Sequence, residues 1–533
     1  MLDEVRAAGV LARAGMLPLG RPDHLAGMLG AMRGFGQVGA IPRIGAIRDG
    51  TAIAVDDELG TLTYAQLDAR SDALARALVS RGLGAGDGVA IMCRNHRLLL
   101  DATFAAVKVG CRAILLGSDF AGPQLAQVVE RERAAVLVYD DEFAGATAEV
   151  RRGLQAVRAF TESADGDEPT VEELISSADG ARSAPPAQPG RVVILTSGTS
   201  GVPKGAARAQ PRTLTAPAAL LSKLPYRRDG VVFLAPPLYH SWGFINASLT
   251  LGLGARLVLR RRFDAAGTLD ALESARCTAL VVVPVMLRRL LALGADEIRR
   301  RDLSALRIVA CGGARLPVDV AAQTLDTIGD VLYDVYGSTE VAQATVATPS
   351  DLRAAPGCVG RPPLGTIVKV LDEHGHELPA GRSGRIFVAN AVQSEGYTGG
   401  GRKDVVDGMM ATGDVGRFDA AGRLFVEGRD DEMVISGAEN VYPGEVEDVL
   451  ARHGAIEEAA VVGVPDDEFG QRLRAYVVAA PGAQLTADDV REHVRDRLAR
   501  FKVPRDVVFV DSLPRNPSGK ILKRELGAAA PSA

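Results

Sequence analysis

Residues 195–206 read LTSGTSGVPKGA. Thr196 to Lys204 hold four hydroxyl side chains, two glycines and one lysine, directly after Val192, Val193 and Ile194, a β-branched run that reads as a buried strand. A glycine-rich turn leaving a strand suits phosphate, because glycines let backbone N–H groups converge on an anion while hydroxyls add donors. Three familiar versions do not fit. A Walker A loop has glycine immediately before its lysine, where Pro203 stands, and Ser or Thr after it, where Gly205 stands. A GxSxG elbow around Ser200 needs glycine where Val202 stands. Gly252-Leu-Gly254 lacks the third glycine of a dinucleotide fingerprint, since Leu257 occupies that place. Taken alone, a loop of this composition is more often a surface turn, so the rest of the chain must decide.

Around the loop the pattern is that of an α/β protein with a largely parallel sheet. Thr63-Tyr-Ala-Gln66 matches a capping box, and Leu67, Leu74, Ala75 and Leu78 then share one face, which predicts a helix over 64–81. Apolar runs at 89–93, 113–116 and 135–139 alternate with helical patterns at 97–109 and 122–131. After the Ala/Pro/Gly-rich stretch 178–190, which reads as a linker within or between subdomains, a second series places strands at 192–196, 231–235, 255–259, 279–283 and 306–310. Two similar sheets stacked through helices are expected. From Val359 to Phe425 the texture turns to short β-rich pieces, and the last hundred residues read as a small α+β unit. That unit has strands at 457–464 and 472–480 and a helix from Thr486 to about Arg500.

At 533 residues the chain exceeds one core, so at least two domains are expected. The expected division is an N-terminal extension at 1–48, a large domain at 49–429 and a small domain at 430–533. A net charge of −5 provides no basic footprint for nucleic acid. Five scattered cysteines suggest neither a disulfide framework nor a CxxC metal site, and the seven histidines lack zinc-ligand spacing. The acidic MLDE start and the absence of a long apolar run point to a cytoplasmic protein. Residues 1–48 carry six arginines against three acids, so this segment could lie on the inner membrane face as an amphipathic element or pack on the main domain. Nothing in the sequence sets the oligomeric state.

Further motifs follow the loop in order. They are Tyr333-Asp-Val-Tyr-Gly-Ser-Thr-Glu340, Thr412-Gly-Asp414, Glu427-Gly-Arg-Asp-Asp431, Ser436-Gly-Ala-Glu-Asn-Val-Tyr-Pro443 and Pro514-Arg-Asn-Pro-Ser-Gly-Lys520. With TSGTSGVPKG this series resembles the adenylate-forming superfamily of acyl-CoA synthetases, luciferases and peptide-synthetase adenylation domains. The resemblance spans about residues 50–527. It implies a large α/β domain with a small mobile one, and an enzyme that joins a carboxylate to the α-phosphate of ATP, releases pyrophosphate and passes the acyl group to coenzyme A.

The resemblance also implies roles. Thr196, Ser197, Gly198, Thr199, Ser200, Gly201 and Lys204 would cradle the departing pyrophosphate. Tyr336 would stack on adenine beside Gly313 and Ala314, Asp334, Gly337 and Ser338 would also bind the ATP, and Thr339 would bond the α-phosphate. Glu340 would hold Mg²⁺, a hard cation suited to carboxylate oxygen. Asp414 and Arg429 would meet the ribose hydroxyls. Lys520 would act on the forming bond, Asp431 would be the hinge and Gly437 would border the pantetheine tunnel, where Ala438 departs from a commoner second glycine. His240, Trp242 and Gly243 resemble the segment bordering the acyl site, with His240 as gate or wall. This segment lacks the aspartate of amino-acid-activating relatives, which implies an uncharged acid. The segment 93–125 resembles actinobacterial fatty-acid–CoA ligases, implying a medium- or long-chain fatty acid. An aryl or sterol-side-chain acid, and transfer to a carrier protein, are the alternatives.

Overall fold

The computed structural model describes residues 2–528 apart from 19, 119, 121, 163–165, 179, 197–203, 209–212, 398–402, 437–438, 467–469 and 517–518. Among the described residues, one seven-stranded sheet runs in space Ser394–Tyr397, Lys204–Arg208, Arg191–Thr196, Arg112–Leu115, Gly88–Met92, Ala134–Tyr139, Gln155–Arg158. A second, of eight strands, runs Ala342–Ala347, Leu332–Ser338, Ile308–Gly312, Ala279–Val282, Val231–Leu234, Arg256–Leu259, Ile53–Asp57, Gly60–Thr63. The inner strands of both are parallel and covered on two faces, which is why they read as unbroken apolar runs. Gly88–Met92 and Ile308–Gly312 are buried at every position.

Sheet membership differs from the two sequence series. The strand Arg191–Thr196 joins the first series, with Ile194 opposite Leu115. In return the hairpin Ile53–Thr63 joins the second, with Val55 opposite Leu257. Long-range pairing decides membership, and local patterning carries no information about it. Of the stretch 178–190, residues 180–190 accordingly run inside a domain: Ser183 donates to the Asp72 carbonyl at 3.0 Å, and a Cβ on Gly190 would lie 2.3 Å from the Cys111 carbonyl.

Helices Leu2–Ala14, Pro22–Gly39 and Ile41–Asp49 pack on the large domain. Ala7, Val10 and Leu11 share a core with Tyr64 and Leu251. Two of the segment's arginines are consumed by packing. Arg43 reaches Asp68 at 2.5 Å and Asp72 at 2.6 Å, and the fully buried Lys108 ammonium completes the cluster at 2.7 and 2.8 Å. Arg48 donates to the Gly252 carbonyl at 2.8 Å. Gly45 lies against the Tyr64 ring, whose hydroxyl bonds the Ala255 carbonyl at 2.7 Å, and a Cβ at Gly45 would come within 1.9 Å of that ring. Gly45→Ala should therefore destabilise the protein by about 3 kcal/mol, the upper range for overpacking a buried contact. Chemical denaturation checks this, and an unchanged midpoint would refute it.

The β-rich stretch forms an antiparallel sheet of Ile367–Leu371, Gly384–Ala389, Met409–Phe418 and Val405–Val406, with Leu424–Arg429 paired to Met409–Phe418. The C-terminal unit has its own sheet, built on the long pair Ile456–Asp466 and Gly470–Ala479, and its own core around Val446, Leu450, Val461 and Val477. The predicted helices appear as Tyr64–Ser80 and Ala487–Arg495, both opened by capping boxes. The second stops five residues earlier than expected, because the chain turns after Asp496 to bring Leu498 and Val503 onto the small core. All five cysteines are buried and free. No helix among the described residues is long and apolar enough to cross a membrane.

Candidate active site in the interdomain cleft

A cleft of about 1160 Å³ lies between the large unit and the C-terminal one. Gly313, Gly337, Ser338, Thr339, Glu340 and Arg429 line one side, while Asn516, Lys520 and Lys523 line the other. The sequence motifs converge here from three parts of the fold: Gly313 and Gly337–Glu340 follow or end strands of the eight-stranded sheet, Arg429 ends Leu424–Arg429 of the antiparallel sheet, and Lys520 comes from the C-terminal unit.

The strand Leu332–Ser338 ends in a bulge between Tyr336 and Gly337 against Ala342–Ala347. This irregularity turns Ser338, Thr339 and Glu340 into the cleft. Ser338 Oγ donates to the Glu340 carboxylate at 2.8 Å and accepts from the Glu340 and Val341 amides, which fixes the turn. Ser241 Oγ donates to Thr339 Oγ1 at 3.4 Å. The Glu340 carboxylate on the cleft wall is a hard-oxygen donor that fits Mg²⁺, whose charge would offset that of bound phosphates.

Tyr336 points the other way, donating its hydroxyl to Asp414 at 2.5 Å. Asp414 also meets Arg429 at 3.4 Å, and its amide donates to Thr412 Oγ1 at 3.0 Å. Gly413 takes a left-handed φ of +83°, and a Cβ there would stand 3.1 Å from the Arg429 guanidinium. Burial pushes the Asp414 carboxyl above the ordinary range, opposed by the Tyr336 hydrogen bond and then by Arg429, Lys403 and Lys520. The Lys520 ammonium, from the C-terminal unit, is the weakest of these opposing charges. Asp334, two residues before Tyr336 on the same strand, is buried and pushed up to about 7 by desolvation. Asp334, Tyr336, Ala314 and Asp414 are not among the residues that line the cleft.

The acyl-site segment forms a tight corner before the helix Ser241–Leu253. Gly243 permits it, since a Cβ there would lie 2.2 Å from the Pro237 carbonyl. The corner aims His240 into the cleft. Burial pulls the imidazole down to about 4, so it is neutral at pH 7, and its Nε2 has no hydrogen-bond partner among the described residues. Trp242 anchors its Nε1 on the Val282 carbonyl at 3.0 Å and lies over Gly312, where a Cβ would come within 3.1 Å of the ring.

Ser197, Gly198, Thr199, Ser200, Gly201 and Gly437 lie outside the described residues. Of Thr196 and Lys204 the backbone is described: the two residues pair across adjacent antiparallel strands that flank the loop. Asp431 sits in the short helical turn Asp430–Glu432 between the large unit and the C-terminal one. The sequence reading missed Lys403 and Lys523, which also line the cleft. Neither belongs to a recognisable motif, and an isolated lysine carries no signal of its own. It also passed over Cys93, His96 and Asp140, whose candidate ligand atoms lie within 4.8 Å of one another away from the cleft. That imidazole meets Asp140 at 2.9 Å through Nε2 and accepts from the Leu98 amide through Nδ1, so both ring nitrogens are engaged.

The family model for AMP-binding enzymes matches residues 45–398, and that for the AMP-binding enzyme C-terminal domain matches residues 445–520. The chain belongs to the adenylate-forming superfamily. This adenylate-forming enzyme is 32% identical to a fatty acid–[acyl-carrier-protein] ligase, ScoC, of Streptomyces coeruleorubidus, over 89% of this chain and 93% of the relative. It is 34% identical to a feruloyl-CoA synthase of an Amycolatopsis species, over 87% and 93%. Among solved structures it resembles ATP-bound MatB from Rhodopseudomonas palustris, with a TM-score of 0.80, 29% identity and coverage of 90% and 96%. The adenylate-forming chain is thus an ATP-dependent acid–thiol ligase of the CoA ligase group, for which ATP and coenzyme A are co-substrates and Mg²⁺ is typical.

Proposed function

We propose that this ligase activates an uncharged, medium- or long-chain fatty acid as its acyl-AMP and transfers the acyl group to coenzyme A. The observation that carries this reading is the acyl side of the cleft. Leu220, Trp242, Ile245, Val283 and Val335 line it, and the side chains that the helices Thr215–Leu221 and Ser241–Leu253 contribute carry no charge. The neutral His240 adds a polar point without a counter-ion for a substrate ammonium or second carboxylate. Among the relatives, ScoC is by its name a ligase of a fatty acid.

The roles given by the motifs complete the reading. Thr339 and Lys520 address the α-phosphate, Glu340 holds the metal, and Asp414 with Arg429 holds the ribose. Oriented donors and cations of this kind stabilise the charge that builds up as carboxylate meets phosphate.

ATP–pyrophosphate exchange over a panel of acids tests the substrate. Each buried methylene contributes about 0.8 kcal/mol, or about fourfold in binding. kcat/KM should therefore climb from acetate through octanoate toward palmitate. The Trp242 ring and the feruloyl-CoA synthase relative favour a second reading, an aryl acid. Ferulate or benzoate outrunning every alkanoate would establish that reading and overturn the first. Detection of the thioester on coenzyme A, against a pantetheinylated carrier protein, separates the two acceptors.

A further inference from the structure

Lys403 belongs to no motif, yet it lines the nucleotide end of the cleft. Its placement follows from a hairpin. Val405–Val406 pairs with Met409–Phe418 through Val406 opposite Met409, and the Ala411 amide donates to the Asp404 carbonyl at 2.9 Å. The chain therefore returns Lys403 beside the Thr412-Gly413-Asp414 turn. There its ammonium donates to the Thr412 carbonyl at 2.5 Å. Arg429 approaches the same oxygen at 3.4 Å and Asp414 at 3.4 Å. The Thr412 carbonyl is thus held by two cations, Lys403 just ahead of the hairpin strand and Arg429 from the neighbouring strand, and Arg429 also reaches the Asp414 carboxylate.

We propose that Lys403 is a positioning residue for the nucleotide: it pins the Thr412-Gly413-Asp414 turn and, with Arg429, stabilises the Asp414 carboxylate in the orientation that accepts the ribose hydroxyls of ATP. This rests on the ribose role of Asp414 in the proposed function. The groups facing Asp414 are the Tyr336 hydroxyl from Leu332–Ser338, Arg429 from Leu424–Arg429, Thr412 on its own strand, Lys403 from the hairpin and Lys520 from the C-terminal unit. Burial already works against the carboxylate, and Lys403 is among the cations that oppose it. Removing Lys403 raises the pH below which Asp414 gains a proton. A protonated Asp414 donates where it should accept, so nucleotide binding fails sooner on the acid side.

Titration calorimetry of α,β-methylene-ATP across pH 5 to 8 tests this without any acyl substrate. Lys403→Met should weaken binding about tenfold at pH 7 and move the acid-side midpoint upward, while Lys403→Arg, which keeps the charge, should restore most of both. In an Asp414→Asn background, Lys403→Met should add little. Unchanged affinity and an unmoved midpoint in Lys403→Met overturn the inference, as does weaker binding with an unmoved midpoint, which marks a structural role only. Asp414→Asn binding as tightly as wild type would instead overturn the ribose assignment beneath it.

Discussion

Lys520→Ala should slow acyl-adenylate formation about a thousandfold while leaving thioester formation from supplied acyl-AMP within a few-fold of wild type, the cost expected when one well-placed ammonium is removed from the reacting oxygens. The structure shows how the backbone that carries this side chain is held. Its backbone amide donates to Asn516 Oδ1 at 2.9 Å, and Arg515 closes the loop on the Gly519 carbonyl at 2.6 Å. Gly519 takes a φ of +80° and meets Val285 of the large unit so closely that a Cβ would lie 2.4 Å away. Lys520 itself lines the cleft. In this arrangement it faces the same cleft as Thr339 and Glu340. Rotation of the small domain, which the resemblance implies, would carry it away for the second step. Pyrophosphate release and thioester formation measured separately decide the matter. Equal loss in both would refute the assignment.

Gly337→Ala should reduce adenylation about a hundredfold, the scale expected when reacting groups are displaced by about an ångström. A Cβ at Gly337 would stand 1.8 Å from the Ala342 carbonyl oxygen and 3.0 Å from the Gln343 Cα. Both neighbours are backbone, so no rotamer relieves the clash. The bulge must open, and with it go the positions of Ser338, Thr339 and Glu340. The opposite side of this turn is already strained, for Ala342 holds a left-handed φ of 56°. A lower melting temperature should accompany the loss of pyrophosphate exchange, and a variant with wild-type exchange would show that the turn tolerates movement.

Local physics made much of this legible in advance. Capping boxes at Thr63 and Thr486 marked helix starts to the residue, because the reciprocal bonds involve side chains three positions apart. Thr339, Glu340 and Lys520 were recognisable because their neighbours form ordered motifs, and the fold brings all three to one cleft. Other features depend on partners far along the chain. Nothing near residue 194 shows that it pairs with Leu115, nothing near Lys108 announces burial beside Asp68 and Asp72, and the bond from Tyr336 to Asp414 joins residues 78 positions apart. Lys403 was illegible for the same reason: its meaning comes from a hairpin whose partner strand also carries Asp414.

The interleaving of the two large sheets sets an order in which the protein can be born. Ile53–Asp57 leaves the ribosome early, but its parallel neighbour Arg256–Leu259 is made roughly two hundred residues later, a delay of about 10–40 s at ordinary elongation rates. The seven-stranded sheet waits longer still, because its edge strand Ser394–Tyr397 pairs with Lys204–Arg208. Until then each sheet has an open edge while the other is incomplete. The large unit therefore cannot mature half by half during synthesis, whereas the C-terminal unit, whose sheet draws only on residues after 433, can fold as soon as it emerges.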